Sequence, residues 1–518
     1  MRVFSSGRFG GSFRKRDGFV TYLRRQNLLL DWIERELGSA RVVWRSQELG
    51  AWNAVRLSCR RCGPHRVLRF QTPQGPVESR LSTIRITRQG VRITLAGESR
   101  FPQDFLDLVG QAASPQDTPR GDLLSICLSW IKDRIPGARV QCAERRSDLA
   151  HTLSGSFLRV LVRDAVRHYL LLGATEQNEE QIPRMLTQAL IWFRLLRAKR
   201  GLVGSPVIVL IVPADNSAVL YHRARCLDPA LAPVEIWEYL LDGSCWRFLP
   251  APLPPVPEEH RDFRWPVLGP FRWSRAFADV MELAPSEIRR YPRFHDHDSV
   301  RLRGLEFARV EGIDRSRVTF GVGPVRTELT AANFDTLRRL VEEILYYRRA
   351  DTPDTHHPFF RLQSERWLES LILEDVPRLF PELAGDAVYS QIPVYLGSAE
   401  GRVDILGVDH TGTLVVMELK VAEDPEMPMQ SLDYWGRVIR HNLLGDFQKR
   451  GYFSEAGLNR RWPKIYLISP VFSFHDTTEK VISFVDRHID IWKVAINDDW
   501  RCGVRILERT QVSRVSPG

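Results

Sequence analysis

The alternation of apolar and polar positions predicts buried strands and amphipathic helices along most of the chain. Two runs of β-branched and aliphatic residues, Val207–Pro213 and Lys464–Pro470, each follow a proline and have the length of a buried strand. Stretches rich in Leu and Trp at Asp122–Ile135 and Ser364–Phe380 predict helices. Strands that alternate with helices indicate the α/β fold class.

Several of these elements recur in the same order in both halves of the sequence. Helix-like stretches carrying Gln188 and Gln430 precede the two strands, and an acidic-Ile-Trp element follows each strand, ending at Trp237 and at Trp492. This match in order and spacing predicts a tandem duplication. The alternative is that α/β chains repeat strand–helix patterns by chance.

A small β-rich module is predicted ahead of each α/β segment. Alternating runs at 84–95 and 305–320 predict strands, and the stretches Phe105–Val109 and Phe334–Leu337 that follow them predict amphipathic helices. The pattern divides the chain into a basic arm with a β-rich module at 1–110, an α/β domain at 111–248, a proline-rich linker at 249–262, a β-rich module with a helix at 263–350 and an α/β domain at 359–518.

The segment 401–420 predicts a β-hairpin. Two β-type runs flank the sequence His-Thr-Gly at 410–412, and Gly412 suits the left-handed position of a tight loop. If Asp409 pairs with Thr413, counting five residues back along each strand sets Asp404 opposite Glu418. A bulge at Gly412 would shift this register by one residue.

Three ionisable residues therefore converge on an otherwise apolar hairpin. Glu418 and Lys420 share one face because they lie two residues apart on a strand. Burying Asp404 beside Glu418 is costly unless a cation joins them, which indicates a divalent metal. Oxygen ligands suit Mg²⁺ or Mn²⁺ better than zinc. A salt-bridged surface hairpin is the alternative.

This arrangement resembles the PD-(D/E)XK nuclease superfamily. The sequence Gly-Arg-Val-Asp at 401–404 is similar to the family's acidic motif, and Glu-Leu-Lys at 418–420 resembles its E-x-K signature. Gln430 and Tyr434 match the Q-x-x-x-Y motif of RecB-like members, and the motif order is also that of NucS-like endonucleases. The resemblance covers about Ser364 to Val494 and implies a restriction-endonuclease-like mixed sheet flanked by helices, with a degenerate copy in the N-terminal half.

The resemblance also implies roles at the hairpin. Asp404 and Glu418 would hold Mg²⁺ or Mn²⁺ together with the backbone carbonyl of Leu419. Lys420 would orient the attacking water or neutralise charge that builds on the phosphate oxygens.

Further roles are implied on the flanking helices. Glu369, preferred over Glu365 as the acid of the first helix, would ligate a second metal or position a water. Gln430 and Tyr434 would face the site from the next helix and hold the substrate or the lysine.

The N-terminal copy lacks these groups. The sequence alignment places Leu158, Leu171 and Gly173 where the C-terminal copy has its Asp, Glu and Lys. No metal site can be built from those residues, so this half is predicted to be a catalytically silent copy.

Charge adds an argument for a polyanionic partner. With 73 Lys and Arg against 63 Asp and Glu, the chain carries a formal net charge of +10. Cations interleaved with aromatic residues after the Q-x-x-x-Y helix suit contacts with phosphates and bases, although an ordinary solvated helix and loop is an equal alternative. The candidate nucleic-acid contacts are Arg402, Arg437, Arg440, Lys449 and Arg450.

The cysteines argue against a disulfide framework. They number seven and are scattered, which fits a reducing cytosol. Cys59, Cys62 and His65 resemble half of a zinc ribbon, but no second cysteine pair follows, and a β-turn with incidental thiols is favoured over a Zn²⁺ site. No apolar run is long enough to cross a bilayer, so we expect a cytoplasmic, nucleoid-associated protein.

The sequence therefore predicts a metal-dependent endonuclease that acts on DNA, or on RNA, in repair, restriction or defence. Expected assemblies are a homodimer or a larger repair or defence complex. Two alternatives stay open: a non-catalytic nucleic-acid-binding or assembly protein, and an accessory nuclease that cuts only within a larger complex. Fold analogy does not choose among substrates.

Overall fold

The chain divides into two compact units, Met1–Arg120 and Gly121–Gly518. The described part is mixed α/β with several sheets flanked by helices, which confirms the predicted class. The predicted basic arm at 1–40 lies outside the described residues. A computed structural model describes residues 41–44, 47–51, 58–62, 65–72, 75–87, 90–96, 103–109, 123–200, 202, 206–242, 245–251, 274–291, 297–312, 317–396 and 399–512.

The described part of the first unit is an antiparallel sheet. Its strands are β1 (Arg41–Trp44), β2 (Gln47–Ala51), β3 (Ser58–Cys62), β4 (His65–Thr72), β5 (Gly75–Thr87), β6 (Gly90–Ala96) and β7 (Gln103–Val109). Their order is β2-β1-β7-β6-β5-β4-β3. Leu68 with Phe70, and Ile93 with Leu95, are buried in pairs two residues apart, as one covered face of a sheet requires.

The helix predicted at Phe105–Val109 is wrong. This segment belongs to β7, which pairs with β1 on one side and β6 on the other. A short apolar cluster fits one helical turn or a strand equally well, and here the available pairing partners decide the structure.

The second unit begins with a mixed sheet between helices. Its elements are α1 (Leu123–Arg134), β8 (Arg139–Glu144), β9 (Leu158–Arg163), β10 (His168–Gly173), α2 (Met185–Arg200), β11 (Val207–Pro213), α3 (Ala218–Ala224), β12 (Val234–Asp242) and β13 (Cys245–Pro250). The strand order is β13-β12-β11-β10-β9-β8. The central strand β11 is buried throughout, and its alternate residues join two different apolar cores, which explains its unbroken run of aliphatic side chains.

A small β-rich module follows. Its elements are α4 (Arg275–Glu282), β14 (Ile288–Tyr291), β15 (His297–Leu302), β16 (Leu305–Glu311), β17 (Arg317–Phe320), β18 (Thr327–Glu328) and α5 (Phe334–Tyr347). The strands form an antiparallel meander. Leu337, Val341 and Ile344 of α5 are buried against it, which confirms the helix predicted from Phe334.

The C-terminal α/β domain closes the chain. Its elements are α6 (Pro358–Arg361), α7 (Ser364–Glu374), α8 (Val376–Leu379), β19 (Leu383–Leu396), β20 (Ala399–Asp409), β21 (Leu414–Leu419), α9 (Met427–Leu443), β22 (Lys464–Pro470), α10 (Thr478–Ile482), β23 (Ile491–Ile496) and β24 (Ile506–Gln511). The order of this sheet is β19-β20-β21-β22-β23-β24.

The two six-stranded sheets share one topology. In each, successive strands in chain order pair antiparallel, antiparallel, parallel, parallel and antiparallel. The helix between the third and fourth strands is α2 in one domain and α9 in the other. The recurrence found in the sequence therefore corresponds to a recurrence of strand order and direction.

The two α/β domains meet through equivalent segments. Leu227 and Val485, which follow α3 and α10, form an antiparallel bridge. Two reciprocal hydrogen bonds flank the bridge. The N–H of Asp228 donates to the carbonyl of Phe484, and the N–H of Asp486 donates to the carbonyl of Cys226, both at 2.9 Å. Helix α2 contacts α10, and α9 contacts α3. Because each contact has its counterpart, an approximate two-fold axis through this bridge relates the domains.

The predicted linker overlaps the first α/β domain. Leu249 and Pro250, assigned to the linker from the sequence, end the edge strand β13, where proline is tolerated. Residues 252–273 lie outside the described residues. Among the helices that the structure describes, none has the length and apolar character needed to cross a membrane.

Candidate functional site

A network of local hydrogen bonds fixes the turn between β20 and β21. Asp409 Oδ1 accepts from the N–H groups of Thr411 and Thr413 at 2.9 and 3.0 Å, and Lys464 Nζ donates to Asp409 Oδ2 at 3.0 Å. The N–H of Asp409 donates to the carbonyl of Thr413 at 2.9 Å. Gly412 has a φ of +84°, the left-handed conformation that the sequence predicts for it.

The register of the hairpin brings two carboxylates together. Ile405 pairs with Met417, so the next residues outward, Asp404 and Glu418, stand opposite each other as predicted. Asp404 Oδ2 accepts from the N–H of Leu419 at 3.0 Å. No shift interrupts this register, so the alternative with a bulge at Gly412 does not occur.

Lys420 lies beside these carboxylates. Its Nζ donates to Glu418 Oε1 at 2.9 Å and is 4.0 Å from Glu365 Oε1 and from Asp424 Oδ2. Burial alone would lower the pKa of Lys420, but Glu418 and Glu365 outweigh it and raise that pKa. Lys420 therefore stays protonated and carries a positive charge.

Both carboxylates are held in a desolvated environment. Burial raises the pKa of Glu418 to about 8, and the charge of Asp404 acts in the same direction. Burial also raises the pKa of Asp404, while Arg366 opposes that rise. Glu418 Oε2 is buried without a hydrogen-bond partner. A buried oxygen of this kind is costly unless a cation or water meets it.

These groups fit a hard divalent cation. Asp404 and Glu418 supply two carboxylates, and the backbone carbonyl of Leu419 lies between Glu418 and Lys420 in the chain. Within the described residues no cluster of three or more His, Cys, Asp or Glu side chains is arranged around a common metal position. Mg²⁺ commonly binds through one or two carboxylates and keeps several waters, so two acids suffice for it.

Glu369 faces the hairpin from α7, but arginines hold its carboxylate. Arg366 Nη1 donates to Glu369 Oε2 at 2.8 Å, and Arg301 Nη1 from strand β15 lies 3.5 Å from Glu369 Oε1. Burial raises the pKa of Glu369, and Arg366 and Arg301 oppose that rise. One turn earlier, Glu365 has a side chain that is 45% exposed and has Lys420 as a neighbour.

Gln391 links Glu369 to Asp404, and it belongs to no motif that the sequence analysis identifies. Its Nε2 donates to Glu369 Oε2 at 2.7 Å and to Asp404 Oδ1 at 3.2 Å. Gln391 is buried within β19 and has a φ of +56°, which is uncommon for a residue with a side chain. This strained position aims the amide at both carboxylates.

Helix α9 brings Tyr434 and Gln430 to the same side of the sheet. Burial raises the pKa of the Tyr434 hydroxyl, and the charges of Glu418 and Asp404 raise it further, so Tyr434 is a neutral neighbour of the acids. Gln430 is half-buried one turn earlier. A Cβ on Gly401 would lie 2.8 Å from the Tyr434 ring, so glycine at this position lets α9 approach β20 closely.

The predicted nucleic-acid contacts have different surroundings. Arg437 is half-buried and lies nearest to Gly401, because a Cβ there would be 2.1 Å from Arg437 Nη1. Arg440, one turn further along α9, is also half-buried. Lys449 is 67% exposed, and Arg450 is half-buried, 3.9 Å from Asp446. Arg402 is half-buried on β20, two residues before Asp404. Lys449 is the most exposed cation of the set.

Parallel pairing fixes the equivalent positions in the N-terminal domain. The N–H of Lys420 donates to the carbonyl of Ile468, which lies five residues after Pro463. In the same way, the N–H of Ala174 donates to the carbonyl of Ile211, which lies five residues after Pro206. Lys420 is therefore equivalent to Ala174, and Glu418 to Leu172. Across the antiparallel pair, Leu172 faces Arg159.

The sequence alignment of the two copies is therefore wrong by one residue. Arg159 stands where Asp404 does, so Leu158, Leu171 and Gly173 are not the equivalent positions. Arg159 is buried and its Nη1 donates to the carbonyl of Ser154 at 2.8 Å. A buried guanidinium repels a cation, so the N-terminal position is unsuited to a metal.

A cleft between the two α/β domains opens at Lys420. Its volume is about 470 Å³, and both domains line it. The lining includes Glu365, Lys420 and Asp424 of the C-terminal domain and Gln181, Arg184 and Gln188 of the N-terminal domain. The exposed edge of the site thus has one wall from each domain.

The candidate zinc residues lie on the first unit. Cys59 and Cys62 belong to β3, and His65 begins β4, where it pairs with Cys62. Zn²⁺ binding by these residues stays an alternative prediction.

The chain matches no family model and no curated protein. It has a weak structural similarity to a solved structure described as a repair endonuclease from Pyrococcus abyssi. The two chains are 14% identical, the match covers 38% of this chain and 88% of the other, and the TM-score is 0.12. A similarity of this size does not assign a fold or a function.

Proposed function

We propose that the protein is a metal-dependent nuclease that hydrolyses phosphodiester bonds in DNA during repair, restriction or defence. One observation carries the proposal: the half-buried carboxylate of Asp404 and the buried carboxylate of Glu418 face each other beside the ammonium of Lys420, and one Glu418 oxygen has no hydrogen-bond partner. The net charge of +10 favours a polyanionic substrate.

The side chains divide the work between them. Asp404 and Glu418 would hold the cation with the carbonyl of Leu419, and a divalent cation there would polarise the scissile phosphate and acidify the attacking water. Lys420, as a fixed ammonium, neutralises charge that develops on the phosphate oxygens. The Gln391 amide and the Leu419 N–H orient Asp404.

We assign the two acids of α7 different roles. Glu365 is partly exposed in the cleft beside Lys420, where it can accept a proton from the attacking water. Glu369 has arginine partners and reaches Asp404 through Gln391, so it acts as a positioning residue. The sequence favours Glu369 over Glu365 as the acid of the first helix, whereas we give the role at the reaction centre to Glu365.

The exposure of each basic side chain indicates whether it would contact the substrate or support the site. Lys449, exposed after α9, suits a phosphate of the DNA backbone, and Arg402 suits one beside the site. Arg437 packs beside Tyr434 and Gly401, so it supports the helix that carries Gln430 and Tyr434. Gln430 and Tyr434 would hold the substrate or Lys420 from α9.

A plasmid cleavage assay tests this function. With MgCl₂ or MnCl₂ the parent protein should cleave supercoiled DNA, and Glu418→Gln or Lys420→Met should lower the rate at least about 100-fold. Glu455→Gln, which changes an exposed acid of the same domain, is the matched control. Cleavage by Glu418→Gln at the parental rate would refute the assignment of the site. Salt-sensitive DNA binding without cleavage in any divalent metal would favour the non-catalytic alternative.

A further inference from the structure

We infer that the enzyme cuts one strand of double-stranded DNA, while the N-terminal α/β domain holds the other strand. The inference rests on the proposed nuclease function. It adds the substrate class, the product and a role for the domain that lacks the carboxylates.

The first step is symmetry. The bridge between Leu227 and Val485, with its reciprocal hydrogen bonds, relates the two α/β domains by an approximate two-fold axis. The strands of a DNA duplex are also related by two-fold axes perpendicular to the helix. A protein with a matching axis presents equivalent residues to the two strands, as symmetric DNA-binding dimers do.

The second step is that both α/β domains line the one cleft that opens beside Lys420. Lys420 and Glu365 line the wall next to the carboxylates. Gln188, the equivalent of Gln430, lines the opposite wall together with Ser154. A duplex that lies across the mouth of this cleft would present one strand to the carboxylate site and the other strand to the wall formed by the N-terminal domain.

The third step is that the equivalent position in the N-terminal domain lacks the groups needed for hydrolysis. Arg159, Leu172 and Ala174 replace Asp404, Glu418 and Lys420. Those three residues offer no carboxylate for a cation and no ammonium for the phosphate. Each binding event therefore hydrolyses one phosphodiester: water adds at phosphorus, one P–O bond breaks, and a phosphate monoester and a hydroxyl flank the nick.

Arg184 is the residue by which the N-terminal domain would hold the uncut strand. It lies on the cleft wall opposite Lys420, it is exposed, and it makes no ion pair within the part of the chain that the structure describes. A cation in this position suits a backbone phosphate. Arg184 is a positioning residue, because it does not reach the hydrolysed bond.

The product distribution tests the inference directly. Supercoiled plasmid is incubated with the full-length protein and Mg²⁺ or Mn²⁺, and nicked and linear forms are separated on a gel. We expect nicked circles as the first product. When reactions are compared at equal extents of cleavage, the ratio of nicked to linear DNA should be the same at every enzyme concentration. Linear DNA as the first product, or a linear fraction that grows with enzyme concentration through self-association, would overturn the inference alone. Absence of all cleavage would overturn the proposed function and the inference with it.

DNA binding without divalent metal tests the role of Arg184. The slope of log K against log salt for a duplex oligonucleotide should decrease in magnitude by about one in Arg184→Ala, and Arg184→Lys should restore it. In the cleavage assay the same change should raise KM and leave kcat unchanged. Arg167→Ala, an exposed cation at the far turn of the β9–β10 hairpin, is the control and should behave as the parent. An unchanged salt slope in Arg184→Ala would refute the contact.

Discussion

Two glutamates one helical turn apart on α7 have opposite surroundings. Glu369 is 1% exposed between Arg301 and Arg366, whereas Glu365 is partly exposed beside Lys420. Removing a charge from a buried ion pair leaves its partner uncompensated, which costs far more than removing a partly exposed one.

Neutralising each glutamate in turn should separate stability from activity. We expect Glu369→Gln to lower the free energy of unfolding by about 3–5 kcal/mol, because Arg301 then stays buried without its counter-charge. Glu365→Gln should change that free energy by less than about 1 kcal/mol and lower the cleavage rate at least about 100-fold. Urea unfolding followed by tryptophan fluorescence and the plasmid assay measure the two effects. Equal loss of stability in both variants would contradict the assignment.

The sequence could place both glutamates on one helix face but could not choose between them. Residues four apart on a helix share a face, so Glu365 and Glu369 satisfy the motif equally. The choice depends on Arg301, which lies on a strand of another module and reaches Glu369 only in the folded chain. Gln391 was missed for a similar reason, since its role follows from its position opposite Asp404 and from its unusual φ.

At the scale of elements, the turn at Gly412 determines where the carboxylates meet. A Cβ on Gly412 would lie 2.0 Å from the carbonyl oxygen of Gly457, and its φ of +84° disfavours any residue with a side chain. The N–H of Asn459 also donates to the carbonyl of Gly412 at 2.8 Å. The turn is therefore confined on two sides.

Alanine at two glycines should have opposite effects on stability. Gly412→Ala should lower the free energy of unfolding by more than about 1 kcal/mol and reduce cleavage, because the clash displaces the hairpin that carries Asp404 and Glu418. Gly436→Ala is the control: it lies in α9 with open space around its Cβ position, and the change should stabilise the protein by about 0.5–1 kcal/mol. Urea midpoints measure both. A stable, fully active Gly412→Ala variant would show that the turn does not control the site.

Local chemistry explains which elements the sequence predicted correctly. The β20–β21 register follows from Asp409 and Gly412, which lie within the turn itself, and it was predicted to the residue. The equivalent strand β10 has its alignment fixed by parallel pairing with β11, a contact distant in sequence, and there the prediction slipped by one residue. The strand β7 was mistaken for a helix because its pairing partners are also remote.

At the scale of the whole molecule, the two α/β domains are joined by ion pairs for which the sequence contains no motif. Arg223 of α3 is 3% exposed and binds two acids of the other domain: its Nη1 donates to Glu426 Oε2 at 2.9 Å and its Nη2 to Asp433 Oδ2 at 2.8 Å. Burial alone would lower the pKa of Arg223, but the charges of Asp433 and Glu426 raise it. The order of repeated elements was visible in the sequence, whereas this pairing depends on how the two domains pack.

Loss of Arg223 should weaken the joint between the domains. Arg223→Met removes the counter-charge of the buried Glu426 and the half-buried Asp433, and we expect the free energy of unfolding to fall by about 3–5 kcal/mol. Asp433 lies on α9 one residue before Tyr434, so cleavage should fall as well. Adding Glu426→Gln and Asp433→Asn removes the stranded charges and should restore part of the stability. Arg225→Met, an exposed change two residues away, should shift the urea midpoint by no more than about 0.5 kcal/mol. A parental midpoint in Arg223→Met would show that this buried ion cluster does not hold the two domains together.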